Sequence, residues 1–252
     1  MITAYHRPQS LDEALQLISR TSPVTVPLGG GTILSQHHGD SIEVVDLQAL
    51  SLDRISRNGK NLKLGAAVTL QALIESPECP EDMALALKLE APLNLRNSAT
   101  IGGTLVVCDG RSSFATTVLA LNAQLTIMNP ASNTMGVGEF LPLRDQLPRG
   151  FLITEMQLPL TARIAFDYVA RTPADKPIVA VALAHWPSGR TRVAVGGCGS
   201  MPLLAMDGTE AQGIEPAVRN ALHDARDPWG SAEYRMDAAA TLARRCLERL
   251  NA

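Results

Sequence analysis

Leu95-Arg96-Asn97-Ser98-Ala99-Thr100-Ile101-Gly102-Gly103-Thr104-Leu105 is the stretch on which the reading of the fold turns. Its glycine pair stands between two threonines and reads as a tight turn. About seventy residues earlier, Leu28-Gly29-Gly30-Gly31-Thr32-Ile33 follows a short strand and carries a second cluster. Glycine has no Cβ and tolerates positive φ, so consecutive backbone N–H groups can point into one concavity and take phosphate oxygens. Two such loops could clasp one pyrophosphate. Neither has the G-x-G-x-x-G spacing of a dinucleotide fold or the lysine of a P-loop, which removes the main support for those two readings. On glycine content alone, two tight turns without any ligand explain the pattern equally well.

Working outward, Ser10 and Glu13 have the spacing of a capping box, and Leu11, Ala14, Leu15 and Ile18 follow at helical intervals. Val24 to Pro27 and Glu43 to Leu47 read as strands. Leu62, Leu64 and Ala66 alternate before Thr69, which suits the N-cap of a helix through Gln71 to Ile74. Further helices are expected over Asp82 to Leu89 and Ala115 to Ala120, with a strand from Gln124 to Met128. The section mixes strands and helices without a regular β-α-β alternation.

Phe151 to Leu158 reads as a strand that ends at Pro159 and leaves the first domain. Beyond it, Ala165 to Arg171, Ile178 to His185 and Arg192 to Gly196 predict a three-stranded antiparallel sheet, with Pro187-Ser188-Gly189 as one of its turns. Met236, Ala240, Ala243, Leu247 and Leu250 mark one face of a terminal helix, with Arg244, Arg245 and Arg249 in its later turns, where cations complement the helix dipole. Asp207 to Pro216 is the least structured-looking segment.

The 252 residues are 46% apolar and 19% charged, a balance that folds without disulfides or metals and favours two domains. A net charge of −3 with no dense Lys/Arg run gives nucleic acid or an anionic membrane no electrostatic footprint. The amino terminus has no apolar signal core and no run is long enough to span a bilayer, so a cytoplasmic protein is expected. Cys79, Cys108, Cys198 and Cys246 lack C-x-x-C spacing and read as free thiols rather than cluster or zinc ligands. His37-His38 has no third ligand at helical or hairpin spacing, so no metal site is expected there.

The order of the segments resembles the FAD-binding subunit of the xanthine dehydrogenase and carbon monoxide dehydrogenase family over nearly the whole chain. Tyr5 to Leu15 looks like the family's first strand and helix, and Leu28-Gly29-Gly30-Gly31-Thr32-Ile33-Leu34 like its A-G-G-T-D-L loop. Val45-Asp46-Leu47 and Leu64 to Leu70 are similar to the next blocks. Leu95 to Leu105 is the most specific match, since the family writes I-R-N-x-A-T-I-G-G-N-L. Ile153 to Pro159 and Val193 to Gly197 resemble later strands.

The resemblance implies an α+β FAD-binding domain over residues 1–160, in lobes of about 1–55 and 56–160, and a small α/β domain over 161–252. It implies that Leu28, Gly29, Gly30, Gly31, Thr32, Ile33, Thr100, Ile101, Gly102, Gly103 and Thr104 hold the cofactor, with the pyrophosphate between the glycine loops. Asp109, Ser113 and Ile153 join them, Ile153 at the position that meets the isoalloxazine ring. The chain departs from the family at Gly29 (usually Ala), Ile33 (often Asp) and Tyr168 (often Lys). Ser113 replaces the acid expected to hydrogen-bond the flavin's sugar-alcohol chain.

By the same resemblance, a molybdopterin-containing large subunit oxidises substrate, a [2Fe-2S] small subunit relays single electrons, and FAD on this chain collects two for an acceptor. The chain then needs no acid–base residue of its own. The competing reading is a degenerate scaffold subunit of the same family with a weakened or lost FAD site. A self-contained flavin oxidase is a weaker third, because no substrate pocket or base is visible.

Overall fold

A computed structural model describes residues 1–36, 41–209 and 213–251. His37 and His38 lie outside the described residues. β1 (Ile2–His6) leads into α1 (Leu11–Ile18), whose N-cap Ser10 accepts the Glu13 N–H at 3.2 Å. The Glu13 carboxylate reaches back to the N–H of Gln9, not of Ser10, at 3.0 Å, so the box closes one residue early. α1 buries Ala14, Leu15, Leu17 and Ile18 against Val45 and Leu47. β2 (Thr25–Leu28) and β3 (Ile42–Asp46) complete a parallel sheet in the order β1-β3-β2.

β4 (Ile55–Asn58) and β5 (Asn61–Gly65) form a hairpin, and Thr69 then caps α2 (Leu70–Glu75) by accepting the Ala72 N–H at 3.1 Å. Four short helices follow: α3 (Glu81–Glu90), α4 (Leu93–Arg96), α5 (Ile101–Val107) and α6 (Ser113–Ala120). The hairpin β6 (Gln124–Asn129) and β7 (Ala131–Gly136) precedes α7 (Val137–Leu143) and β8 (Leu152–Pro159). These strands build an antiparallel sheet in the order β4-β5-β8-β6-β7. β8, the last strand in chain order before the third sheet, is the middle strand of this one.

β9 (Arg163–Val169), β10 (Val179–His185), β11 (Thr191–Gly196) and β12 (Leu203–Gly208) form the third sheet, with α8 (Ile214–Ala221) and α9 (Ala232–Asn251) after it. The fold class is α+β as expected, but this antiparallel sheet has four strands, ordered β12-β11-β10-β9, not three. The three-stranded sheet of the molecule is the parallel one near the amino terminus. β12 is an edge strand whose Leu203 and Leu204 stay exposed, so it lacks the alternation that marks a half-buried strand. With Asp207 and Gly208 in β12 and Ile214 to Pro216 in α8, the segment that looked unstructured is largely ordered at both ends.

β10 is buried along nearly its whole length because both faces are covered. Val179, Val181 and Leu183 join the core under α8 and α9, while Ala180, Ala182 and Ala184 face the core that contains α6. Alanine on that side lets the helix sit close to the sheet. At the far end of α9, Arg249 contacts the Asp82 carboxylate at 3.1 Å and donates to the Phe166 carbonyl at 2.6 Å. The terminal helix is thereby tied to α3 as well as to its own sheet.

Candidate cofactor site

The first glycine loop leaves the end of β2 and lies directly on the segment before α5. A Cβ on Gly30 would stand 1.6 Å from the Ser98 carbonyl oxygen, and one on Gly29 would stand 2.6 Å from Thr100 Oγ1. Only glycine permits this approach. Gly31 has φ of +69°, and its carbonyl accepts from Ser35 N–H at 2.9 Å, while Ile33 accepts from Gln36 at 3.0 Å. The loop is therefore the start of one helical turn, whose leading N–H groups have no intrahelical acceptor. Among the described residues, no acceptor meets the N–H of Gly29, Gly30, Gly31, Thr32, Ile33 or Leu34. Gly30 and Ile33 are exposed and the others half-buried.

The second glycine cluster is the first turn of α5 rather than the expected free-standing turn. Thr100 is its N-cap and accepts Gly103 N–H at 3.2 Å through Oγ1. Ile101 donates to the Val68 carbonyl at 2.9 Å, Gly102 to Ala66 at 3.0 Å and Thr104 to Thr100 at 2.8 Å. Every N–H from Ile101 to Thr104 is thus already engaged. Ile101 and Gly102 are buried, Gly102 hard against Ala66, whereas Gly103 is exposed beside the first loop. The first loop meets the second segment at Ser98 to Thr100, and the donors without an acceptor among the described residues lie on the first loop, while the second leaves only Gly103 of its glycine pair exposed.

The loop from Cys108 to Ser112 is held from several sides. Gly110 exchanges backbone hydrogen bonds with the Gly197 to Gly199 segment, and Arg111 donates to the carbonyls of Lys176 and Pro177. Asp109 accepts the Arg111 N–H at 3.0 Å and pairs with Lys176 at 3.3 Å, so its carboxylate is committed to the loop's own structure. Cys108 is buried, with Arg144 donating to its sulfur at 2.8 Å; burial pushes the thiol up to about 11 despite that cation.

Ser113 opens α6 and is fully buried, and its Oγ has no hydrogen-bond partner among the described residues. Sequence reasoning missed its neighbour Glu90 at the end of α3. The Glu90 carboxylate accepts from Ser112 Oγ at 2.8 Å and from Phe114 N–H at 2.9 Å. Desolvation holds its pKa above the ordinary glutamate value, against the hydrogen bonds from Phe114 and Ser112 and the charge of Lys176. The only signal in the sequence was a single acid ahead of Ala91-Pro92, where a helix must stop.

Ile153 lies in β8 and is buried in the central core, opposite Ile127. Tyr168, in β9, stacks on Phe166 with centroids 6.1 Å apart. Under the first loop, buried Asp46 accepts from Tyr5 Oη and from Gln48 N–H at 2.9 Å, bracing the end of β3. A separate open cleft of about 550 Å³ lies away from the glycine loops, between β7, α7 and β12, with Arg192 on its wall. Among the described residues, no group of three or more His, Cys, Asp or Glu could hold a metal ion, and no helix is long and apolar enough to cross a membrane.

Residues 1–161 match the family described as the FAD binding domain in molybdopterin dehydrogenase. Uncharacterized protein YgfM of Escherichia coli (strain K12) is 30% identical over 244 residues, covering 93% of this chain and 91% of that protein. The carbon monoxide dehydrogenase medium chain of Afipia carboxidovorans is 25% identical, covering 98% and 96%. In fold, the chain is similar to the crystal structure of quinoline 2-oxidoreductase from Pseudomonas putida 86, with a TM-score of 0.80, 22% identity, and coverage of 98% and 95%.

Proposed function

Since the chain belongs to the family of the FAD binding domain in molybdopterin dehydrogenase, we propose that it is the electron-transferring flavoprotein subunit of a cytoplasmic, multi-subunit molybdenum hydroxylase or dehydrogenase. Its partners in this reading are a molybdopterin-containing large subunit and a [2Fe-2S] small subunit, both contributed by other chains. The observation that carries the reading is the row of N–H groups from Gly29 to Leu34 that meet no acceptor among the described residues, seated against the Ser98 to Thr100 segment that leads into α5. A diphosphate fits such a cradle, because backbone donors meet its oxygens without any lysine or arginine. The same reading divides the chain into cofactor-binding residues 1–160 and a C-terminal domain over 161–252.

FAD, when bound, supplies the step between single-electron and two-electron transfer. This chain's residues bind and orient it. Residues Leu28 to Ile33 offer donors to the pyrophosphate. Thr100 and Ile101 fix the start of α5, Gly102 packs it on Ala66, Thr104 bonds back to the Thr100 carbonyl, and Gly103 keeps the exposed part of the turn low. Asp109 stiffens the following loop through Lys176, which leaves Ser113 as the polar group at the next helix start. Ile153 acts from within the core, as part of the floor.

The purified chain is expected to retain FAD and show flavin absorbance, yet to give no substrate-dependent dye reduction until the two partner subunits are added. Colourless protein that takes up no FAD on titration would favour a scaffold that has lost its cofactor. Substrate turnover by the chain alone would overturn the subunit assignment.

A further inference from the structure

Two arginines share one carboxylate beside the open cleft between β7, α7 and β12. Arg190 Nε and Nη2 donate to the two oxygens of Asp207, both at 2.8 Å, and Arg192 Nη1 adds a third bond. One unit of positive charge is left over. Arg190 is partly open to water, which screens it, but Arg192 is only 5% exposed and lines the cleft. Desolvation, with Arg190 adding to it, holds the Arg192 pKa below the ordinary arginine value, against the opposing charge of Asp207. The rest of its head is turned to the carboxyl end of α6. Nη2 donates to the Leu119 carbonyl at 3.2 Å, which also accepts the Asn122 N–H at 3.1 Å. Nε, on the same edge of the guanidinium as Nη2, is buried and has no acceptor among the described residues. A buried charged group left short of both counter-charge and acceptors is uncommon and calls for an explanation.

Asn122 lines the same cleft. It sits in the left-handed region with φ of +54°, and its half-buried side-chain amide makes no hydrogen bond among the described residues. Leu141, Leu203 and Leu204 give the cleft an apolar side, and the two leucines of β12 are exposed. The acid on the wall is Glu139, which is exposed and bonds the Gly136 N–H at 3.4 Å. Water screens its charge far more than that of the desolvated Arg192.

We propose that this cleft is a second binding site, for a small organic carboxylate with an apolar body, the carboxylate on the side of Arg192 and Asn122 and the body against Leu141, Leu203 and Leu204. Its volume of about 550 Å³ lies in the range of small-molecule sites. The ligand brings the negative charge that Asp207 cannot give to two arginines at once. The site shares no residue with the glycine loops, so it stands whether or not FAD binds there.

The test titrates the full chain, with and without FAD, with benzoate, with its neutral counterpart benzamide, and with acetate, which has the charge but no apolar body. Binding is followed by amide NMR shifts. Benzoate is expected to saturate with a Kd of about 1 mM, and benzamide and acetate to bind at least about tenfold more weakly. The shifts should centre on Asn122, Thr134, Leu203 and Leu204 and spare Gly29 to Leu34, and FAD should leave the benzoate affinity unchanged. Arg192→Gln should abolish the preference for benzoate over benzamide. Because that change also disturbs Asp207 and the end of α6, two variants at the exposed rim accompany it. Leu204→Asp should weaken benzoate by about tenfold and Leu204→Lys should not, whereas benzamide should treat the two alike. Benzamide binding as tightly as benzoate, equal effects of the two Leu204 variants on benzoate, no saturation by about 20 mM, or shifts centred on the glycine loop would each overturn the proposal.

Discussion

The Gly30 backbone rests on the Ser98 carbonyl so closely that a single methyl group cannot be placed between them, since the added carbon would stand 1.6 Å from the oxygen. The two glycine segments are thus fixed to each other by contact and not merely by proximity.

Gly30→Ala should push the first loop off the second and splay its row of N–H groups. The strain of such overpacking is about 1–3 kcal/mol, and cofactor affinity should suffer more than the fold because the loop is at the surface. Gly102→Val is the informative contrast: its Cβ would meet Ala66 Cβ at 2.9 Å inside the core, so stability should fall along with binding. Flavin content after gel filtration, measured beside the melting temperature, separates the two. Full flavin retention in Gly30→Ala would count against the cradle.

Asp82 accepts the Phe166 N–H at 2.8 Å and pairs with Arg249, joining α3, β9 and the last turns of α9. Asp82→Ala leaves a backbone donor unsatisfied and should cost about 1–3 kcal/mol. Hydrogen exchange should rise at both Phe166 and the end of α9. A change confined to α3 would show that the three elements are not held by this carboxylate.

Asp207 takes a bidentate contact from Arg190, both bonds at 2.8 Å, and a further bond from the buried Arg192. The hydrogen bond from Arg190 holds the Asp207 carboxyl below its ordinary range, with desolvation opposing and Arg192 assisting. A depressed folded-state value means that the stabilisation is complete above the unfolded pKa and is lost as pH falls through the folded one. Asp207→Asn strands the Arg192 cation and should cost about 1–3 kcal/mol near neutrality, less than a fully buried pair because Asp207 is partly exposed. Urea melts of both proteins should therefore converge on acidification. A gap that stays constant down to strongly acid pH would show that the charge of Asp207 is not what stabilises the sheet.

What could be read from the residues was whatever buried a periodic face. α1 declared itself through Ser10 and its apolar spacing, and β10 through an unbroken apolar run. α5 did not, because Ile101-Gly102-Gly103-Thr104 has poor helix propensity, each glycine costing about 1 kcal/mol relative to alanine. It forms because Thr100 caps it and because Ile101 and Leu105, one turn apart, are both buried. β12 was hidden by its exposed leucines. The glycine loops were found, but not which of them keeps free donors, since that depends on Ala66 and Val68 reaching α5 from a distant strand end. Glu90 was illegible for a related reason: its partners are more than twenty residues away and meet it only because α3 packs on α6.

The central place of β8 bears on how the chain is made. β5 and β6 are both complete by residue 129, yet neither pairs with the other; each pairs with β8, with Asn61 opposite Pro159 and Gln124 opposite Gln157. A growing polypeptide that has not reached residue 159 therefore carries two hairpins, each with the edge that β8 covers still open, and no strand to bridge them. Such edges are sites of mispairing with other chains. The parallel sheet near the amino terminus needs nothing beyond residue 46 for its own strand pairing, so during synthesis the glycine loop acquires its strand-end support long before the sheet behind α5 can close.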